Sequence, residues 1–169
     1  VSCGKPVILV LLSGSALAVN WADEHVDAIV QGWYPGARGG AAIADILFGE
    51  ANPEGKLPVT FYRTTEELPD FEDYSMQGRT YRYMEQEALY PFGYGLSYNE
   101  YELSNVKADR EVLTEDGITV TAEISNLGEY DSAETVQVYV KICAEDTPNA
   151  QLKGLKKVSL KKGEKKRVE

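Results

Sequence analysis

The first third of the chain combines short apolar runs with helical spacing of apolar residues. Residues 6–12 are apolar without interruption, which is typical of a strand covered on both faces in a parallel sheet. Residues 28–31 form a second short apolar run that predicts a second buried strand. Between them, Asn20 or Asp23 is a suitable residue to begin a short helix. The pattern therefore predicts a strand, a helix and a strand in this order.

A longer helix and a further strand follow. Apolar residues at positions 42, 43, 46 and 47 share one helix face, which predicts a helix over residues 37–48 that ends at Gly49. After a turn, residues 57–61 predict another strand. Alternating strands and helices predict an α/β domain over residues 1–62, a partial α/β/α sandwich with a mostly parallel sheet. Three strands are few for such a sheet, so we expect its other strands to lie upstream.

Residues 63–98 show little periodicity but are rich in aromatic side chains. Eleven of the seventeen aromatic residues of the chain lie between residues 61 and 101. Aromatic side chains bury large areas, so such a segment can hold an irregular connector against a neighbouring surface. Some of the rings could instead line a sugar site. We favour the packed connector as the interpretation.

Residues 99–169 change to a period of two. Apolar and polar residues alternate around Val106 and over residues 118–124, 136–142 and 155–160, with turns between these segments. This is typical of antiparallel strands that are solvated on one face, and it predicts an all-β sandwich. About four strands are visible where such a sandwich has roughly seven, so we expect this domain to be incomplete as well.

Composition excludes several classes of function. The 169 residues include 27 acidic and 17 basic side chains, a net charge of −10, which disfavours nucleic acid as a partner. The longest apolar run is far shorter than the roughly 20 residues that span a bilayer, so we expect no membrane span. Eight of the basic residues lie between Lys153 and Arg167, where they alternate with apolar residues and predict the solvated face of a sheet.

The residues available for metal binding or nucleophilic catalysis are few. His25 is the one histidine, and it lies in a polar stretch that predicts a solvated helix start. Cys3 and Cys143 are 140 positions apart, and we expect free thiols rather than a disulfide. No spacing matches a zinc site, so we expect no metal. The chain starts without methionine and ends where a strand begins, which predicts a piece of a longer protein.

Five motifs in one order resemble glycoside hydrolase family 3, whose members include β-glucosidases and β-xylosidases. They lie at residues 4–14, 33–36, 39–49, 52–61 and 90–98. Residues 99–169 are similar to the fibronectin-type-III-like module that follows in many members. Within the family, residues 78–83 resemble the β-xylosidase branch. The resemblance implies a parent enzyme that removes terminal β-linked xylose from oligosaccharides, with β-glucosidase activity as the alternative.

The resemblance places no catalytic residue in this chain. The family retains anomeric configuration and uses two carboxylates, a nucleophile and an acid/base. The resemblance implies that the aspartate nucleophile and the glutamate acid/base both lie upstream of Val1, so we expect this chain alone to be inactive. The acidic pairs Asp45 with Glu50 and Glu72 with Asp73 match no catalytic motif. We assign none of these four residues to catalysis.

Substrate-binding residues are left unassigned, although Arg79 and Tyr81 are the first candidates if the connector borders the active site. The resemblance implies no metal or organic cofactor. The implied partners are an oligosaccharide or glycoside substrate and the upstream domains of the same polypeptide, with a homo-oligomer also possible. Two alternatives stay open. One is a separate carbohydrate-binding or interaction module, and the other is one part of a split enzyme that a partner chain completes.

Overall fold

The computed structural model describes residues 1–111, 115, 117–144 and 147–169, which form two compact units. The first unit comprises residues 1–51, 56–94 and 140–151, and the second comprises residues 52–55, 95–139 and 152–169. Each unit is therefore assembled from three separate stretches of chain. The sequence-based boundaries after residues 62 and 98 stay a prediction. The architecture is mixed α/β with antiparallel sheets.

The first unit contains the predicted strand, helix and strand. They are β1 (Ile8–Leu11), α1 (Asn20–His25) and β2 (Ala28–Gln31). The two strands are parallel, with Ile8 opposite Ala28 and Leu11 opposite Gln31. Helix α1 begins at Asn20 as predicted, but the Asn20 amide donates to the Arg63 carbonyl oxygen at 2.6 Å instead of capping the helix.

The predicted longer helix is confirmed as α2 (Gly39–Leu47). It ends at Phe48, and Gly49 follows in the left-handed region with φ of 77°. The helix begins two residues later than predicted. At its first residue, a Cβ on Gly39 would lie 2.3 Å from the Pro35 Cγ, so the close approach of this ring admits only glycine there.

The apolar run predicts that strand β1 is covered on both faces. In the structure it is not. Ile8 is 47% exposed and Leu12 is 58% exposed. Among the described residues, β2 is the one strand that pairs with β1. Burial of an apolar strand depends on the elements that pack against it, and the described residues supply them only in part.

The prediction of a regular strand over residues 57–61 is wrong. The segment makes hydrogen bonds with a later part of the connector, from the Leu57 N–H to the Tyr94 carbonyl at 2.8 Å and from the Phe61 N–H to the Tyr90 carbonyl at 2.9 Å. Only Phe61 and Tyr90 form a regular antiparallel bridge. Pro58 has no N–H to donate, which interrupts a regular ladder at this point.

Residues 63–98 contain two short helical turns, a 3-10 turn at Thr65–Glu67 and the helix α3 (Thr80–Tyr83). The Thr64 hydroxyl caps the first turn by accepting from the Glu66 N–H at 3.2 Å. The rest of the segment is irregular, as the missing periodicity predicts.

The strands predicted in the last third of the chain are confirmed. They are β3 (Tyr101–Ala108), β4 (Val120–Asn126), β5 (Ser132–Val140), β6 (Gln151–Leu160) and β7 (Lys165–Val168). Strands β3, β4 and β7 form an antiparallel sheet in the order β3-β4-β7, and β5 pairs with β6. The loop between β3 and β4 includes residues outside the described ranges.

The core of the second unit takes residues from both sheets. Ile124 of β4 and Val168 of β7 pack with Val158 and Leu160 of β6, and Val136 of β5 packs against them. Ile124 is fully buried and Leu160 is 2% exposed. The lysines interleaved on β6 are exposed, which confirms the solvated face predicted for the basic segment.

Glu54 attaches the short segment 52–55 to the second unit. Its carboxylate accepts from the Ala133 N–H at 2.7 Å and pairs with the Lys157 ammonium at 2.8 Å. Burial alone would raise the pKa of Glu54. The hydrogen bonds from Lys157 and Ala133, with the Lys157 charge, outweigh burial and lower that pKa below its ordinary value of 4.5. The folded state therefore favours the ionised carboxylate.

We expect Glu54→Gln to lower the free energy of unfolding by about 1–2 kcal/mol at pH 7 and to reduce its dependence on acid. A lowered pKa stabilises the fold above the unfolded value and loses that contribution as the pH falls through the folded value. Urea unfolding at pH 7 and pH 3.5 measures both effects, with the exposed Glu100→Gln as the control. An equal acid dependence in wild type and Glu54→Gln would contradict the prediction.

Candidate functional site

A cluster of packed rings organises the connector in the first unit. Phe61 is 1% exposed, and its ring contacts Trp33 edge-on at 6.1 Å between centroids and Tyr90 at 5.9 Å. Tyr90 stacks in turn on Tyr94 at 5.5 Å. Two of these four rings, Tyr90 and Tyr94, belong to residues 63–98, and Tyr90 packs against Phe61 of the preceding segment.

Tyr90 is fixed by a carboxylate from α1. Its hydroxyl donates to Asp23 Oδ1 at 2.5 Å. Burial raises the pKa of Tyr90 strongly, and the hydrogen bond and negative charge of Asp23 raise it further. Tyr90 therefore stays neutral at physiological pH, and its hydroxyl proton is shared in the hydrogen bond to Asp23. It cannot serve as a general base there.

Trp33 lies two residues after the carboxyl end of β2, in an unfavourable backbone conformation. Its φ is 53°, in the left-handed region that bulky side chains rarely adopt. Such a conformation costs roughly 1–3 kcal/mol and concentrates at functional sites. In open α/β sheets, ligands bind outside the carboxyl ends of the strands. The position of Trp33 therefore favours a functional role for this edge of β2.

A second group of rings surrounds α3. Tyr81 stacks on Phe92 at 4.3 Å between centroids, and the Arg82 guanidinium lies 5.9 Å from the Tyr81 ring. The Asn149 amide donates to the Tyr81 and Met84 carbonyls at 3.1 and 2.8 Å. Tyr81, one of the two first substrate candidates, is therefore part of a packed stack. Asn149 explains why residues 140–151 belong to this unit.

Arg79, the other first candidate, contacts the connector itself. One of its terminal nitrogens donates to the carbonyl oxygens of Asp70 and Asp73, both at 2.8 Å. The next residue, Thr80, has a φ of 58°, and its N–H donates to the Tyr62 hydroxyl at 2.6 Å. Arg79 thus holds residues 70–75, which we call the aromatic loop, in a defined shape.

The aromatic loop exposes two rings. Phe71 is 91% exposed and Tyr74 is 89% exposed, the highest values among the large apolar side chains that the structure describes. Asp70 and Asp73 each accept from a backbone N–H two residues ahead, at 2.9 and 2.8 Å. The N–H and hydroxyl of Ser75 lower the pKa of Asp73, and the Arg79 charge adds to this effect. The loop therefore carries an ionised carboxylate between its rings.

The four carboxylates considered in the sequence are all exposed. Asp45 lies on α2 at the surface. Glu50, Glu72 and Asp73 are exposed as well. The hydrogen bonds from Ser75 lower the pKa of Asp73, the opposite of the shift that a catalytic acid needs.

His25 and the two cysteines are all exposed. The His25 ring stacks on Trp21 at 4.6 Å, and its Nδ1 bonds to the Trp21 carbonyl oxygen at 2.7 Å. Cys3 and Cys143 are free and exposed. Across the described ranges, no group of three or more metal-binding side chains comes together. In the same part of the chain, no helix has the length and apolar character needed to cross a bilayer.

Comparison with known families and proteins gives consistent matches. Residues 1–98 match the glycosyl hydrolase family 3 C-terminal domain, and residues 134–169 match the fibronectin type III-like domain. A xylan 1,4-beta-xylosidase of Xylanibacter ruminicola is 48% identical over 164 residues, which cover 96% of this chain and 19% of that protein. A periplasmic beta-glucosidase of Salmonella typhimurium is 39% identical, over 98% of this chain and 24% of that protein.

Solved structures agree with these sequence matches. Beta-glucosidase 3B from Thermotoga neapolitana, solved in complex with glucose, superposes with a TM-score of 0.87 at 34% identity. The match covers 99% of this chain and 26% of that chain. The chain thus spans about a fifth to a quarter of the length of the relatives it matches.

Proposed function

This chain belongs to glycosyl hydrolase family 3, and we propose that it is the C-terminal part of a retaining, exo-acting β-xylosidase that removes terminal β-linked xylose from oligosaccharides. The observation that carries the proposal is the 48% identity, over nearly the whole chain, to a xylan 1,4-beta-xylosidase. The motif at residues 78–83 supports xylose as the sugar. The similarity to beta-glucosidases makes terminal glucose the second candidate.

The proposed chemistry needs two carboxyl groups about 5–5.5 Å apart, one as nucleophile and one as acid and then base. The four carboxylates considered above match no catalytic motif, and the Asp23 carboxylate accepts a hydrogen bond from Tyr90. We therefore assign both catalytic residues to polypeptide upstream of Val1. We place the Trp33, Phe61, Tyr90 and Tyr94 cluster near that site, and the position of Trp33 after the carboxyl end of β2 supports this.

We propose that the full-length enzyme contains the parts of the α/β/α sandwich that are missing from this chain. We propose that β1 and β2 belong to a larger, mostly parallel sheet in an α/β/α sandwich. The exposure of Ile8, Leu12 and Phe48 supports this assignment, because upstream elements of the same polypeptide would cover them. Strands β3 to β7 would form a fibronectin-III-like sandwich, which the packing between their two sheets supports. A homo-oligomer is compatible with this arrangement.

The test compares two chromogenic substrates with the full-length polypeptide that carries this sequence. We expect kcat/KM for 4-nitrophenyl β-xyloside to exceed that for the β-glucoside by about tenfold or more. Proton NMR of the first product should show the β-anomer, as a retaining mechanism requires. This chain alone should hydrolyse neither substrate. A preference for the glucoside would establish the second candidate, and an α-product or no activity would refute the proposal.

A further inference from the structure

Two large rings stand exposed on one short loop. Phe71 and Tyr74 are three positions apart in the aromatic loop and are more exposed than Phe48, at 82%, or Tyr34, at 79%. Single exposed apolar side chains are ordinary. Two aromatic side chains that are almost wholly exposed on a six-residue loop each offer a ring face on which a flat ligand can stack.

The loop backbone is ordered before any ligand binds. Arg79 bonds to two of its carbonyl oxygens, and Asp70 and Asp73 each close a turn with a backbone N–H. These four contacts fix the positions from which Phe71 and Tyr74 project. A ligand that stacks on them therefore loses less of its binding free energy to ordering the loop.

The negative charge of the loop carboxylates favours some classes of ligand over others. Asp70, Glu72 and Asp73 alternate with the rings and are exposed. Burying three carboxylates against an apolar protein surface is costly, and charged residues are depleted from the centres of protein interfaces. Single-stranded nucleic acid also stacks on rings, but its phosphates would meet these carboxylates and a chain of charge −10. A neutral sugar avoids both costs, because its hydroxyls donate to carboxylates while its C–H face covers a ring.

We propose that the aromatic loop is a binding site for neutral oligosaccharide. Phe71 and Tyr74 stack on pyranose rings, and the loop carboxylates accept hydrogen bonds from sugar hydroxyls. Arg79 is the positioning residue that holds the loop. Only the choice of xylan as the probe rests on the proposed function, since that function makes β-linked xylose the expected sugar.

The test is native affinity electrophoresis of the full-length polypeptide through gels that contain soluble β-1,4-xylan. We expect xylan to retard the wild type, and Phe71→Ala and Tyr74→Ala each to weaken the apparent affinity by about threefold to tenfold. Tyr74→Phe retains the ring and should stay close to wild type. Tyr130→Ala removes a ring that is 54% exposed in the second unit, outside the loop, and serves as the control.

Hydrolysis of 4-nitrophenyl β-xyloside, measured on the same samples, separates this proposal from the enzymatic one. Retention of hydrolysis with loss of retardation in the two loop variants supports the loop site. Wild type that hydrolyses the xyloside but migrates freely in xylan and in mixed-linkage β-glucan overturns it and leaves the enzymatic proposal intact. Loop-dependent retardation by β-glucan alone supports the loop site and contradicts xylose as the sugar. Equal retardation of wild type and both alanine variants also overturns the loop site.

Discussion

Phe61→Ala should lower the free energy of unfolding of this chain by about 3–5 kcal/mol. Phe61 is 1% exposed, and its ring contacts both Trp33 and Tyr90. Removing the ring leaves a cavity between two aromatic side chains that are held by their own constraints. Trp33 is fixed by its backbone conformation and Tyr90 by its bond to Asp23, so neither can readily close the gap. Urea unfolding followed by circular dichroism measures the change.

Phe71→Ala is the matched control for this prediction. It removes the same side chain from a site that is 91% exposed, so we expect a change within about 0.5 kcal/mol. Phe61→Leu should fall between the two, because it retains part of the buried volume. A loss below 1 kcal/mol for Phe61→Ala would mean that the cluster does not stabilise the first unit.

Local patterns predicted the regular elements well. The apolar run that contains β1, the shorter run of β2 and the helical spacing of α2 each place an element within about two residues. The alternation in the last third likewise locates β4 and β6. These signals are local, because the spacing of apolar residues within one helix or strand is enough to recognise it. The element that packs against it does not have to be known.

Pairing and membership of a unit could not be predicted in this way. Residues 57–61 have the composition of a strand, but they pair with residues 90–94, and Pro58 interrupts the ladder. Residues 140–151 follow β5 in sequence and yet belong to the first unit, where Asn149 bonds to the carbonyls around α3. Both outcomes depend on hydrogen bonds between residues more than 25 positions apart, which no local pattern encodes.

The roles of the connector side chains show the same limit. Arg79 and Tyr81 stood out in the sequence as a cation and a ring among tyrosines, which is the composition of a sugar site. The structure uses Arg79 to hold the aromatic loop and Tyr81 to stack on Phe92. The unusual backbone of Trp33 had no signal in the sequence, because the residue itself disfavours the conformation it adopts. This backbone conformation is therefore visible only in three dimensions.

The turn after β4 is held by a buried asparagine side chain. Asn126 is 1% exposed, and its amide donates to the Tyr130 carbonyl at 2.8 Å and to the Lys161 carbonyl at 3.2 Å. Its side-chain oxygen accepts from the Gly128 N–H at 2.9 Å. A Cβ at Gly128 would lie 2.7 Å from the backbone Cα of Asn99, so the turn also packs tightly.

Asn126→Ala should lower the free energy of unfolding by about 2–4 kcal/mol, because it removes three hydrogen bonds and leaves buried polar groups without that partner. Asn126→Asp should be at least as damaging, since it directs a carboxylate oxygen at two carbonyl oxygens. Glu129→Gln is the control, because its side chain is 73% exposed and its ion pair with Lys162 is worth less than about 1 kcal/mol. Urea unfolding at neutral pH measures all three. A loss of less than 1 kcal/mol for Asn126→Ala would show that water replaces the side chain and that the turn is not a structural anchor of the β4 end.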